Sequence, residues 1–216
     1  DMRYILSMWV KRGKLGEAQT LFSRYFTTNN SSMRFDGNDF YVHTEGGVTY
    51  KKEICRDPSA WYHFFVKSTS STYSNAATGE VYINGTLVSS GENIFGFHGT
   101  NRRQRLGVNG TALNTYFDGY MAECHMVAGS GSDQTFTVND FGRFNGNGVW
   151  EPVKRSGLTY VAIGWYLNFA DPDNIGKDYS GNGNDFTATG FDTTTYVSGY
   201  WVDNVANAVS GEVPNS

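Results

Sequence analysis

The chain has 216 residues and a formal net charge of −4, with its 17 Lys and Arg and 21 Asp and Glu dispersed along the length, so neither a phosphate-tracking stripe nor a polybasic membrane patch is indicated. Nucleic acid is therefore not an expected partner. No apolar run approaches the roughly 20 residues that cross a bilayer, and Asp1-Met2-Arg3 does not open a secretory signal, so membrane insertion is not expected either.

Glycine at 26 and aromatic residues at 16% fit many short strands joined by tight turns, and the Ala/Leu/Glu/Lys-rich runs of long helices are absent. One all-β domain is expected over 1–191, followed by a C-terminal extension or linker over 192–216. In chain order, Arg3 to Lys11 alternates, with Tyr4, Leu6, Met8 and Val10 on one face and Ile5, Ser7 and Trp9 on the other. That pattern predicts a strand covered on both sides. Lys11 to Gly16 reads as a turn, Glu17 to Phe26 as a return through Leu21-Phe22, and Thr27 to Ser32 as a polar loop. A meander follows through Met33 to Phe35, Phe40 to Val42 and Val48 to Tyr50, turning at Asp36-Gly37-Asn38 and Glu45-Gly46-Gly47. Asp57 to Val66 is a second two-sided strand, and Ser68 to Thr78 a solvent-exposed loop. Glu80 to Val88 sets Asn84-Gly85 between apolar segments, which predicts a type I′ hairpin.

Gly91 to Thr100 reads as a loop whose Ile94, Phe95 and Phe97 plug the core edge or face a partner, and Arg102, Arg103 and Arg105 as a solvated loop or strand edge. In Tyr116 to Val127, period-two spacing puts Tyr120, Ala122, Cys124 and Met126 on one face. The segments 57–66, 80–88 and 116–127 are expected to be three neighbouring antiparallel strands forming one wall of a sandwich. Gly129 to Val138 reads as a loop holding a helical turn, and Asn145 to Gly148 as a turn. Leu158 to Phe169 is dense in aromatic residues and leads into a loop rich in glycine and aspartate.

The order Trp61-x-His63, then Val81-Tyr82-Ile83-Asn84-Gly85, then Phe117-Asp118-Gly119-Tyr120-Met121-Ala122-Glu123 resembles the concanavalin A-like, or laminin-G-like, jelly-roll domains. Further motifs resemble the version found in structural proteins of bacteriophages, many from marine and cyanobacterial hosts. These are Ser7 to Gly13, Phe141-Gly142, Gly148-Val149-Trp150-Glu151-Pro152, Tyr166 to Phe169, and Asp178 to Asp185. The resemblance runs from about Leu6 to Phe191 and implies an antiparallel β-sandwich. It also implies one or two strands before Tyr4, so a preceding segment is expected to have been cleaved, to lie out of view or to come from a neighbouring subunit. Assembly in a bacterial cytoplasm, again implied by the resemblance, would keep Cys55 and Cys124 as buried free thiols.

A concanavalin A-like fold raises hydrolysis first. Laminarinase-type enzymes array carboxylates as Glu-x-Asp-x-Glu or Glu-x-Asp-x-x-Glu on one strand, because retaining chemistry requires two carboxyl groups about 5–5.5 Å apart. Neither spacing occurs; Glu123 sits alone in its strand and is read as non-catalytic. Zincin and nucleophile-elbow motifs are also missing. His63, on the same strand face as Trp61, is read as a hydrogen-bonded structural group. Asp178-x-Ser180-x-Asn182-Gly183 has the opening of a calcium loop, which Asp171, Asp173 and Asp185 would complete as an oxygen cage. The competing expectation is that these side chains cap backbone groups in a tight loop. Tyr160, Trp165, Tyr196, Tyr200 and Trp201 offer flat faces for stacking sugars, as lectin-like relatives do, or serve as packing.

The expected role is a non-catalytic virion module in a tail fibre or appendage that attaches to a host-surface glycan. The alternatives are a capsid decoration or head-fibre protein binding other virion proteins and, third, a glycoside hydrolase. A homotrimer is expected from the resemblance alone.

Overall fold

A computed structural model describes residues 3–26, 29–44, 49–69, 76–95, 103–110, 112–129 and 135–189. The strands are β1 (Arg3–Arg12), β2 (Gln19–Phe26), β3 (Asn29–Asp36), β4 (Asp39–His43), β5 (Thr49–Ile54), β6 (Trp61–Ser68), β7 (Ala76–Ile83), β8 (Thr86–Phe95), β9 (Arg103–Leu106), β10 (Gly119–Gly129), β11 (Gly142–Phe144), β12 (Trp150–Pro152) and β13 (Trp165–Leu167). They form a six-stranded sheet in the order β13-β10-β1-β6-β7-β8, a five-stranded sheet in the order β5-β4-β3-β2-β9, and the small β11-β12 hairpin. All of these pairings are antiparallel. The fold is the expected all-β antiparallel sandwich.

The main core lies between the two large sheets. Tyr4, Leu6, Met8 and Val10 enter it from β1, Phe64 from β6, and Phe22, Phe35 and Phe40 from the facing sheet. The Phe40 and Phe64 rings stack across the interface at 4.3 Å. A second apolar cluster covers the outer face of the six-stranded sheet, where Ile5, Trp9, Phe65, Ala122 and Val127 meet Val138, Phe141 and Trp150. Strand β1 is thus buried on both faces, as its alternation predicts. Arg12, at its end, crosses between the sheets. Its guanidinium donates to Cys55 O at 2.6 Å and Gly37 O at 2.8 Å and lies 4.1 Å over the Phe35 ring. Cys55 and Cys124 are buried free thiols.

Several expectations are corrected. β1 lies between β10 and β6, so the segments 57–66, 80–88 and 116–127 are not three neighbours; a strand far away in sequence can enter a sheet between two others without any local trace. The four residues assigned to one face of β10 divide. Ser7 pairs with His125 but Trp9 with Ala122, so a bulge sits opposite Met8. Beyond it Cys124 and Met126 face the main core, whereas Ala122 faces outward.

The polar loop expected through Ser32 belongs from Asn29 onward to β3, which carries buried Ser31 and Ser32 beside β2. Polar residues carry no hydrophobic period for a pattern to detect. Strand β8 extends through the expected loop to Phe95 and buries Ile94; the register shift around Gly91, whose φ is 78°, disguises it. Phe97, Arg102 and the turn 45–47 lie outside the described residues, as does 192–216. Arg103 and Arg105 sit on the edge strand β9. Asn84-Gly85 forms the predicted turn, with φ of 49° and 75°.

Candidate functional site

The bulge in β10 places a carboxylate where regular pleating would not. Glu123 adopts φ 45°, a left-handed conformation that costs a non-glycine residue about 1 kcal/mol or more and tends to mark functional positions. The side chain is only 6% exposed. Tyr166 of β13 donates its hydroxyl to Glu123 Oε2 at 2.6 Å, and His125 Nε2 lies 3.7 Å from the same oxygen. His125 stacks on the Tyr166 ring at 4.2 Å and hydrogen-bonds the Tyr160 hydroxyl through Nδ1 at 2.7 Å. Burial, reinforced by Glu123, pushes both tyrosine hydroxyls far above their ordinary pKa, so both stay protonated. Glu123 Oε1 has no protein partner among the described residues.

Glu123 contributes to a cleft of about 710 Å³ between the outer face of the six-stranded sheet and the β11-β12 hairpin. Trp9, Trp61 and Ala122 supply the floor, Asn84 and Thr86 one flank, and Phe144, Val149, Trp150 and Glu151 the hairpin side. Phe144 is 55% and Val149 59% exposed, so the hairpin rim presents apolar surface to solvent. Trp61 is half-buried and lies beside Tyr120, with ring centroids 6.5 Å apart. Glu151 is held on the hairpin by Arg143 Nε at 2.8 Å and Asn145 Nδ2 at 3.4 Å.

Trp150 fixes the hairpin over the sheet. Its indole N–H donates to His63 Nδ1 at 3.1 Å, and a Cβ on Gly85 or on Gly142 would come within 2.4 or 2.5 Å of the indole ring. With Nδ1 accepting, His63 Nε2 carries the proton and donates to Ser7 Oγ, 2.9 Å away. Ser7 therefore lacks a base to activate it, and the pair is not a hydrolytic dyad. Burial, with His125 nearby, lowers the His63 pKa to about 3, so the ring is neutral. This agrees with the structural role expected for it.

The residues expected to stack sugars are placed differently. Trp165 is 1% exposed, packs beside Phe22 and donates to Gln104 Oε1 at 2.9 Å; it is a core residue. Tyr160 is turned to His125 behind Glu123 and does not line the cleft. Tyr196, Tyr200 and Trp201 lie outside the described residues. The aromatic residues that do line it are Trp9, Trp61, Phe144 and Trp150; Trp9, Trp61 and Trp150 were legible only as strand or motif residues, and Phe144 was not singled out.

The proposed calcium ligands do not fit a cage, because their donors are engaged within the loop. Asp178 accepts from the N–H groups of Tyr166, Ser180 and Asn184 at 2.8–2.9 Å and from Ser180 Oγ at 2.7 Å. Burial alone would raise its pKa, but these donors outweigh it and hold the carboxyl below its ordinary value. Asp185 accepts from Asp178 N, Asp171 pairs with Lys177 Nζ at 2.9 Å and accepts from Asp173 N, and Asn182 donates to Val161 O and Gly164 O. Among the described residues no three His, Cys, Asp or Glu side chains are grouped so as to hold a metal ion. The capping alternative describes this geometry.

The profile of the concanavalin A-like lectin/glucanases superfamily matches residues 3–135. Solved structures similar to the chain include domain 4 of AbnA, a GH43 extracellular arabinanase from Geobacillus stearothermophilus, in complex with arabinotriose. Identity is 25% over 57% of this chain and 59% of that one, at a TM-score of 0.43. The SAP-like pentraxin of Limulus polyphemus is 13% identical over 57% of this chain and 63% of that one, at 0.43. The CBM40 of the Ruminococcus gnavus IT-sialidase, bound to α2,3 sialyllactose, is 14% identical over 58% and 74%, also at 0.43. The chain thus covers less than two thirds of the length of the first two. No curated protein matches.

Proposed function

Because the chain belongs to the concanavalin A-like lectin/glucanase superfamily, we propose that it is a non-catalytic saccharide-binding module that takes its ligand in the cleft at Glu123. The observation that carries this reading is the pairing of a buried carboxylate, one oxygen held by Tyr166 and the other without a partner among the described residues, with the half-buried Trp61 and exposed Phe144 that line the same cleft. An apolar face plus a few fixed polar groups is what orients a small ligand. The carboxylate accepts ring hydroxyls while an aromatic face covers the C–H side of the sugar.

The ordered motifs from Ser7-Met8-Trp9 to Asp178-Tyr179-Ser180 support placing this module in a bacteriophage virion, in a tail fibre or appendage facing a host-surface glycan. Immunogold labelling of intact particles tests the location; label on the head instead would favour the decoration-protein alternative. A glycan panel read by calorimetry or ligand-detected NMR tests the binding. The expected outcome is a saccharide whose affinity falls at least about 10-fold in Trp61→Ala and in Phe144→Ala with the fold retained. Unchanged affinity in both variants would move the ligand out of this cleft.

Hydrolysis is the second reading, favoured by Glu123 and Glu151 lining one cleft. Against it, Glu151 is engaged by Arg143 and Asn145, and Glu123 by Tyr166. Release of reducing ends from laminarin, abolished in Glu123→Gln, would establish it.

A further inference from the structure

The cleft contains one sign of charge. Among the described residues lining it, the ionisable ones are Glu123 and Glu151. Glu151 is neutralised locally by Arg143, whose own side chain is 70% exposed and whose Nε lies 2.8 Å from Glu151 Oε1. Among the described residues Glu123 has no Lys or Arg partner. Its partners are the neutral Tyr166 hydroxyl at 2.6 Å and, at 3.7 Å, His125 Nε2. Trp9, Trp61, Ala122 and Trp150 line the same cleft and bring no counter-charge.

We infer that this cleft selects uncharged saccharides and rejects glycans carrying a carboxylate, sulfate or phosphate on the residue seated over Glu123. The inference rests on the saccharide-binding reading above and adds to it the class of sugar. The physical reason is repulsion between like charges at a reduced dielectric. Two like charges about 5 Å apart at an effective dielectric near 20 repel enough to weaken binding roughly 100-fold, and mobile ions reach a walled cleft less readily than an open surface. A neutral sugar meets the opposite situation, because its hydroxyls donate to the unpartnered Oε1 with a charge-assisted hydrogen bond. Glu123 therefore attracts one class of ligand and repels the other.

The experiment is a titration of the full chain with matched pairs that differ in charge: lactose against sialyllactose, and galactose oligomers against galacturonate oligomers. The neutral member of a bound pair is expected to bind at least about 10-fold more tightly. Glu123→Gln, which keeps the side-chain shape, is expected to weaken the neutral ligand several-fold and bring the ratio within about threefold of unity. Equal or tighter binding of the anionic members would overturn this inference and leave saccharide binding intact. A ratio unchanged in Glu123→Gln, with the variant folded by circular dichroism, would overturn it too. No binding by any member at millimolar concentration would overturn the saccharide-binding reading and this inference with it.

Discussion

His63 shows how much one ring can organise. Its two nitrogens connect Trp150 of the hairpin to Ser7 of β1, and its face stacks on Trp9 at 4.8 Å. Its folded pKa of about 3 lies below the unfolded value near 6.5. As pH falls, the unfolded chain takes the proton first. The contribution is therefore complete above about pH 6.5 and lost progressively toward pH 3, at a slope of up to about 1.4 kcal/mol per pH unit. Urea titrations at pH 7, 6 and 5 should show this slope, and His63→Gln should flatten it while lowering stability at pH 7. A slope unchanged in the variant would assign the acid sensitivity elsewhere. The structural role of His63 was legible from its place in an aromatic strand. Glu123 was legible as a solitary acid, but its bulge was not, because the extra residue becomes visible only once β1 is paired beside it.

At the scale of elements, the β11-β12 hairpin depends on close approach. A methyl group on Gly142 would overlap the Trp150 indole, whereas Gly146 has open space around it. Gly142→Ala is expected to cost about 1–3 kcal/mol and shift the tryptophan emission. Gly146→Ala is expected to remain within about 0.5 kcal/mol, and thermal unfolding followed by fluorescence checks both. The C-terminal loop depends on Asp178 in a similar way. Asp178→Ala leaves three backbone N–H groups without their acceptor and is expected to lower stability by about 2–4 kcal/mol, whereas calcium should not move the melting temperature of the wild-type chain. Elements with a strong period, such as β1 and the Asn84-Gly85 hairpin, were legible in the sequence. Those hidden by polar composition or by a glycine bulge, the start of β3 and the end of β8, were not.

On the scale of the whole molecule, Arg12 joins the two sheets without a carboxylate partner among the described residues. Its donors go to the carbonyls of Cys55 and Gly37, and burial depresses its pKa from the ordinary value. Arg12→Met keeps much of the volume but removes both of these charge-assisted hydrogen bonds, and is expected to cost about 2–4 kcal/mol in chemical denaturation. The fold class was legible because alternation, turns and ordered motifs agreed. The site was not, since it arises where residues near positions 61, 84, 123 and 150 converge, and convergence of distant segments has no signature along the chain. A sequence pattern reports what a strand buries; it does not report what is laid over it.

The upper wall of the cleft is the short hairpin, held to the sheet by the Trp150 indole and, at its base, by Phe141, while the lower wall is cross-braced sheet. Residues 143–149 can therefore change without disturbing the sandwich beneath. Such an arrangement lets natural variation redraw the contour of the opening, and with it the choice of target, while the scaffold and its folding are inherited unaltered.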